Sequence, residues 1–250
     1  VWSPMLTGIS DAADSLAVIK KFVFEEKRIT MKELLEALEN NFPDEAMRQE
    51  LINKVPKFGN NDDYVDEIVK ELVDYIVERI KYHENCVARE DNIKIKFAPG
   101  IGTFEKYKTC GELVGATPNG RRAQDAISVN MSPEAGLAKK GITTALESFV
   151  KLPLEKITVG SPLEVAILKS LINSKEDLKN LEAFLKSFVD LGGNIMAIKV
   201  SDVNTLLDAQ KEPEKYKDLT VKMGGWQAYF TSLDKKHQDY HIRRMKDAHI

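Results

Sequence analysis

The sequence predicts an α/β protein, and three observations carry that expectation. Apolar residues fall at helical spacing through most of the first hundred positions. Helical stretches then alternate with short apolar runs of strand type in the second half, and turn formers gather in one long segment between. At 250 residues the chain can hold one large domain or two smaller ones, each with a substantial core.

Taken in order, "DAADSLAVIKKFVFEE" (11–26) reads as an amphipathic helix with Asp11 as its N-cap. "TMKELLEALENNF" (30–42) opens on Thr30 with Glu33 three positions on, the pattern of a capping box, and Pro43 closes it. The longest periodic stretch, 62–86, sets Tyr64, Ile68, Leu72, Tyr75, Ile76 and Ile80 on one face. "IKIKFAPGIGTFEKY" (93–107) alternates as a strand does, then breaks at Pro99, Gly100 and Gly102. Residues 115–136, "GATPNGRRAQDAISVNMSPEAG", form a loop too long for a simple connection, so a packed or functional loop is expected. Strands at 157–168 and 194–201, helices at 174–191 and 203–210, and a last helix over "LDKKHQDYHIRRM" complete the pattern.

Charge and composition narrow the function. The net charge of −3 with 30% charged residues gives no electrostatic case for nucleic acid or an anionic membrane surface. No apolar run approaches the length of a membrane span, and "VWSPMLTGIS" lacks the form of a signal peptide. Cys86 and Cys110 are too few for a disulfide framework and too far apart for a zinc motif, which fits a reducing cytoplasm. The first residue is Val, so a processed, trimmed or partial chain is expected. Abundant Lys, Glu and Ile lean toward a thermophile.

Several candidate sites reduce to ordinary structure. His237 and His241 lie four apart on the last helix, a spacing able to present two metal ligands. Basic residues crowd them and no HExxH pattern is present, so a solvated helical face is expected and no metal. "GIGTFEKYKTCG" lacks the third glycine of a dinucleotide loop. Cys86 and Cys110 have no neighbouring feature that would lower a thiol pKa, so both read as structural.

One segment resists this treatment. "TVKMGGWQAYF" (220–230) sets Gly224 and Gly225, the least constrained backbone available, beside Trp226, Tyr229 and Phe230, three aromatics expected to be buried. A Gly-Gly pair ordinarily marks a tight turn. The surrounding sequence says more. "GGNIMAIKVSDVNTLLDAQKEPEKYKDLTVKMGGWQAYFTSLDKKHQDYHIRR" (192–244) resembles the C-terminal radical domain of the glycyl radical enzymes, the group that includes pyruvate formate-lyase. "VGATPNGRRAQDAISVNMSP" (114–133) and "DSLAVIKKFVFEEKRITMKELLEAL" (14–38) resemble the same family in the same order, so the likeness spans nearly the whole chain.

The resemblance implies half of a ten-stranded α/β barrel with surrounding helices, plus a C-terminal glycyl radical domain. It divides the chain into residues 1–113, the end of the barrel, and residues 114–250, the radical domain. It implies that Gly225 is the radical residue, with Gly224 in the small-residue position before it and the aromatics anchoring and shielding the loop. It implies no bound cofactor. A separate activating enzyme, using S-adenosylmethionine and an iron–sulfur cluster, would install the radical.

The family's catalytic cysteine lies in a Gly-Cys motif far upstream of its radical glycine, and no such motif occurs here. A cysteine-bearing N-terminal half or large subunit is therefore an expected partner, with a small-molecule substrate. The implied activity is that of a radical lyase or acyltransferase of the formate C-acetyltransferase type. Lys222, Met223 and Trp226 depart from the commoner residues at their positions and, with "FAPGIGTFEKY", suggest a branch nearer aryl- or alkyl-substrate lyases and decarboxylases; a generic carbon–carbon lyase is expected ahead of a decarboxylase or dehydratase. Two other readings stand beside it. One is a non-catalytic spare part that rescues an oxygen-damaged enzyme; the other is a scaffold whose Gly225 is never activated.

Overall fold

A computed structural model describes residues 1–90, 95–223 and 226–246. Helix α1 (Ile9–Val18) runs without a break into a seven-residue π-helical segment, Ile19–Glu25. Its N-cap is Gly8, in a left-handed conformation at φ 69°, and not Asp11 as expected. Asp11 has a different task. Its buried carboxylate turns inward and accepts the backbone N–H and hydroxyl of Ser128 at 2.8 and 2.5 Å.

Helix α2 (Met31–Glu39) has the expected capping box. Thr30 Oγ1 accepts from the Glu33 amide at 3.1 Å, and Glu33 accepts from the Thr30 amide at 2.7 Å. It stops before residue 42, because Asn41 and Phe42 turn through positive φ and drop the Phe42 ring into the core. Asp44 then caps α3 (Glu45–Asn53), a helix whose weak apolar periodicity left no sequence signal.

Helix α4 (Asp63–Glu90) packs on α1, and its buried stripe is Val65, Val69 and Val73. The expected stripe is rotated: Ile68, Leu72 and Ile76 flank it, and Tyr75 is 62% exposed. Small residues explain the rotation. Ala13 and Ala17 of α1 are fully buried, as are the three valines, so two slim faces can approach closely.

The strands β1 (Met5–Leu6) and β2 (Gly100–Ile101) pair in parallel, extended by a bridge between Trp2 and Phe97. The alternating run expected from 93 therefore yields only short strand pairing, and its first two residues lie outside the described ones. A parallel bridge from Gly100 to Gly160 leads to β3 (Pro162–Leu168), which pairs in parallel with β4 (Ile195–Ser201), Pro162 opposite Ile195. Helix α7 (Lys175–Asp190), capped by Ser174, makes the crossover that a parallel pair requires. Two helices between, α5 (Tyr107–Glu112) and α6 (Ile142–Val150), carry no clear sequence signal.

The long loop is pinned from inside by Arg121, whose guanidinium donates to the carbonyls of Gly115, Arg122 and Asp125. After β4 come α8 (Val203–Lys211), an antiparallel hairpin of β5 (Thr220–Met223) and β6 (Trp226–Tyr229), and α9 (Lys235–Lys246). The main core joins α1, α4, α6, α7 and β3, and two smaller clusters lie under the hairpin. Among the described residues no helix is long and apolar enough to cross a membrane.

Candidate functional site: a glycine-bearing hairpin over a buried polar cluster

Strands β5 and β6 pair from Thr220–Tyr229 to Met223–Trp226, so the ladder closes immediately beside the two glycines. Gly224 and Gly225 themselves lie outside the described residues. Alternation along β5 buries Val221 and Met223 and exposes Thr220 and Lys222. The aromatics divide. Phe230 is fully buried and anchors the hairpin base, but Trp226 and Tyr229 are each 55% exposed, contrary to the burial expected. Tyr229 pairs with Thr220 on the outward face, and Trp226 pairs with Met223 at the far end of the ladder.

Beneath the hairpin, Met223 packs with Tyr107, Ile127, Val129, Ala135 and Tyr240. The Tyr107 hydroxyl approaches Met223 Sδ at 3.6 Å, and His241 Nε2 approaches it at 3.1 Å. Tyr107 and Tyr240 stack with centroids 4.5 Å apart, and burial raises the pKa of both phenols, so both keep their protons.

His241 is 3% exposed, which corrects the expectation of a solvated helical face. Burial, reinforced by the positive charges of Lys199 and Arg244, lowers its pKa well below the ordinary imidazole value and keeps it neutral. His237 faces another way. Its Nδ1 meets Asp234 at 2.7 Å, and Asp234 also binds Lys108. The two histidines are thus not brought to one ligand set, and no group of three or more His, Cys, Asp or Glu among the described residues could hold a metal.

The charges around His241 form a buried cluster. Lys199 on β4 pairs with Glu164 on β3 at 2.6 Å, and Arg244 donates at 2.8 Å to the carbonyls of Glu164 and Pro133. A cavity of about 240 Å³ adjoins Lys199, Val221, Gln227, His241 and Arg244. Sequence reading missed this cluster. The available signal was one charge of each sign in otherwise apolar strands, Glu164 in "LEVAIL" and Lys199 in "AIKVS", which neighbouring buried strands can satisfy only by pairing. Cys86 on α4 and Cys110 on α5 are free and partly buried.

Comparison with known proteins gives this arrangement a class. Residues 2–104 match the family model for pyruvate formate lyase-like proteins, and residues 127–231, including the hairpin, match the glycine radical model. The chain belongs to the glycyl radical enzyme family.

It is 34% identical over 242 residues to trans-4-hydroxy-L-proline dehydratase of Clostridioides difficile, a match covering 96% of this chain and 30% of that protein. To isethionate sulfite-lyase of Nitratidesulfovibrio vulgaris it is 33% identical over 239 residues, covering 95% and 28%. The solved glycerol-bound B12-independent glycerol dehydratase of Clostridium butyricum superposes with a TM-score of 0.86 at 33% identity, over 97% of this chain and 30% of that one. The chain therefore spans about 30% of the length of the relatives it matches.

Proposed function

We propose that the chain stores an organic radical on the α-carbon of Gly225 and passes it to a cysteine thiol of another polypeptide segment, for lyase chemistry on a small molecule. The observation that carries this reading is the match of residues 127–231 to the glycine radical family across the β5–β6 hairpin, whose strands flank Gly224 and Gly225 in the sequence. An α-carbon radical gains stability when planar, with spin shared between the flanking amide nitrogen and carbonyl. A Cβ crowds that geometry, so glycine suits it.

An activating enzyme dependent on S-adenosylmethionine and an iron–sulfur cluster would remove one α-hydrogen of Gly225. The thiyl-bearing cysteine is assigned to the cysteine-bearing partner or N-terminal half, because Cys86 and Cys110 lie in segments that match elsewhere in the family's pattern. Exposed apolar residues on the outer strands, Trp2 near β1 and Ile195 and Val200 on β4, support a partner at those edges. The division into 1–113 and 114–250 is part of the same proposal.

For the reaction, the relatives named as dehydratases and a sulfite-lyase favour elimination from a small substituted substrate over acetyl transfer to formate. The 2–104 match, outside the radical segment, argues against a spare part.

The test is anaerobic activation of the chain with a matching activating enzyme, reductant and S-adenosylmethionine. An organic radical signal split into a doublet by the one remaining α-hydrogen is expected. Gly225→Ala should abolish it, and Gly224→Ala should weaken it less. Air should then cut the activated chain at residue 225 and release Trp226–Ile250, visible by mass spectrometry. A signal that survives Gly225→Ala overturns the assignment.

A further inference from the structure

His241 Nε2 and Met223 Sδ meet at 3.1 Å inside the protein. A histidine buried among Lys199, Arg244 and aromatic rings is costly to desolvate, and a leucine or isoleucine would bury no polar atoms there. Two polar groups from separate elements, Tyr107 of α5 and His241 of α9, nevertheless converge on one sulfur of β5. A thioether has no proton to give and only accepts. Both contacts are therefore attractive only if the tyrosine donates its O–H and the imidazole carries its proton on Nε2.

We propose that Met223, Tyr107 and His241 form a clamp that positions the glycine-bearing hairpin. Its role in radical storage rests on the assignment of Gly225 above, whereas the clamp itself does not. Methionine is unbranched and turns about three bonds, so packing alone leaves it several conformers. Two directional donors select one of them. Met223 is the last residue of β5 and immediately precedes Gly224 in the sequence, so fixing its sulfur fixes the end of the strand that leads into the glycine pair. Across the ladder, Trp226 at the other end of the pair is half exposed. Toward the glycine pair the hairpin is thus held on its β5 side, while Phe230 anchors its base. Tyr240 and His237 stiffen the clamp from behind, with Tyr240 stacked on the Tyr107 ring and His237 edge-on to it at 5.6 Å.

The experiment is a mutant cycle read by native-state hydrogen exchange on the unactivated chain. Tyr107→Phe and His241→Phe should each speed exchange of the amides in 220–223 and 226–229 by roughly three- to tenfold, with little change in α1 or α4. In a Met223→Leu background the same two changes should add almost nothing, because the acceptor is gone. Nitrogen NMR of the wild-type imidazole should show the neutral Nε2–H form, and Met223→Leu should shift that N–H resonance. Independent, additive effects in the Met223→Leu background overturn the clamp. So does an imidazole protonated on Nδ1 alone, a result that needs no variant to fold. Since no radical is generated, failure of Gly225 to carry one would sink the proposed function and leave this result untouched.

Discussion

Glu164 and Lys199 form a 2.6 Å ion pair between adjacent parallel strands, with both side chains buried. Desolvation offsets much of the attraction in such a pair, so its presence adds little stability, but breaking it strands a charge. Lys199→Met should cost about 3–5 kcal/mol in urea unfolding. Glu164→Leu combined with Lys199→Met should cost clearly less than either change alone. A double variant as unstable as the sum of the singles would show that the two residues act separately.

His241 makes stability depend on pH in a defined direction. Its pKa is lowered in the folded chain, so below the ordinary value of 6.5 the unfolded chain binds a proton that the folded chain refuses. Stability is therefore lost as pH falls from about 6.5. Asp14 works in the opposite sense, since burial raises its pKa to about 7 and favours the folded chain at acid pH. Subtracting the profile of His241→Phe from that of the wild type isolates the imidazole. The wild type should lose stability relative to the variant on acidification from pH 7 to 5, and a flat difference would refute this.

Two glycines a few residues apart should respond oppositely to alanine. A Cβ on Gly111 would lie 2.1 Å from the carbonyl oxygen of Asp125 and 2.8 Å from the Ala126 Cα, both backbone atoms that cannot swing aside. Gly111→Ala should cost about 2 kcal/mol or more. Around Gly115 a Cβ meets nothing within 4 Å, so Gly115→Ala should be neutral or slightly stabilising through the unfolded chain. Paired thermal melts separate these outcomes.

Arg121 should resist even conservative replacement. Its planar guanidinium reaches Asp125 O at 2.6 Å and Arg122 O at 3.1 Å through one nitrogen, and Gly115 O through the other. A lysine ammonium is a single point and cannot span those carbonyls. Arg121→Lys should destabilise the chain by about 2 kcal/mol and speed proteolytic cleavage between residues 113 and 126. Unchanged cleavage would mean that the loop is held by other contacts.

Local chemistry and strong periodicity were legible in the sequence, whereas tertiary choices were not. The Thr30–Glu33 capping box and strand β4 follow from a few neighbouring residues, and the sequence reading has them correctly. The rotation of α4 toward its valines depends on what α1 offers across the interface, which no reading of α4 alone contains. Asp11 shows the same limit. Its identity suits an N-cap, but a partner 117 residues away, Ser128, captures the carboxylate. At the site, the Gly-Gly-aromatic segment drew attention because it breaks local rules. His241 was misjudged because a helix rich in Lys and Arg looks solvated until Met223 and Tyr107 are packed against it.

The pairing of Met5 with Gly100 also constrains how the chain acquires its shape. Strand β1 cannot find its neighbour until about a hundred further residues have been synthesised, and Asp11 must wait longer for Ser128. Near the other end, Arg244 closes onto Pro133 and Met223 onto Tyr107 across comparable separations. Contacts so distant along the chain are slow to form, because a large loop must be closed before any of them is rewarded. Helices such as α2 and α4 can form early from neighbouring residues, while the parallel strands and the hairpin's seat are assembled late. During vectorial synthesis strand β1 therefore emerges well ahead of the residues that pair with it, and that interval leaves its edge exposed to aggregation.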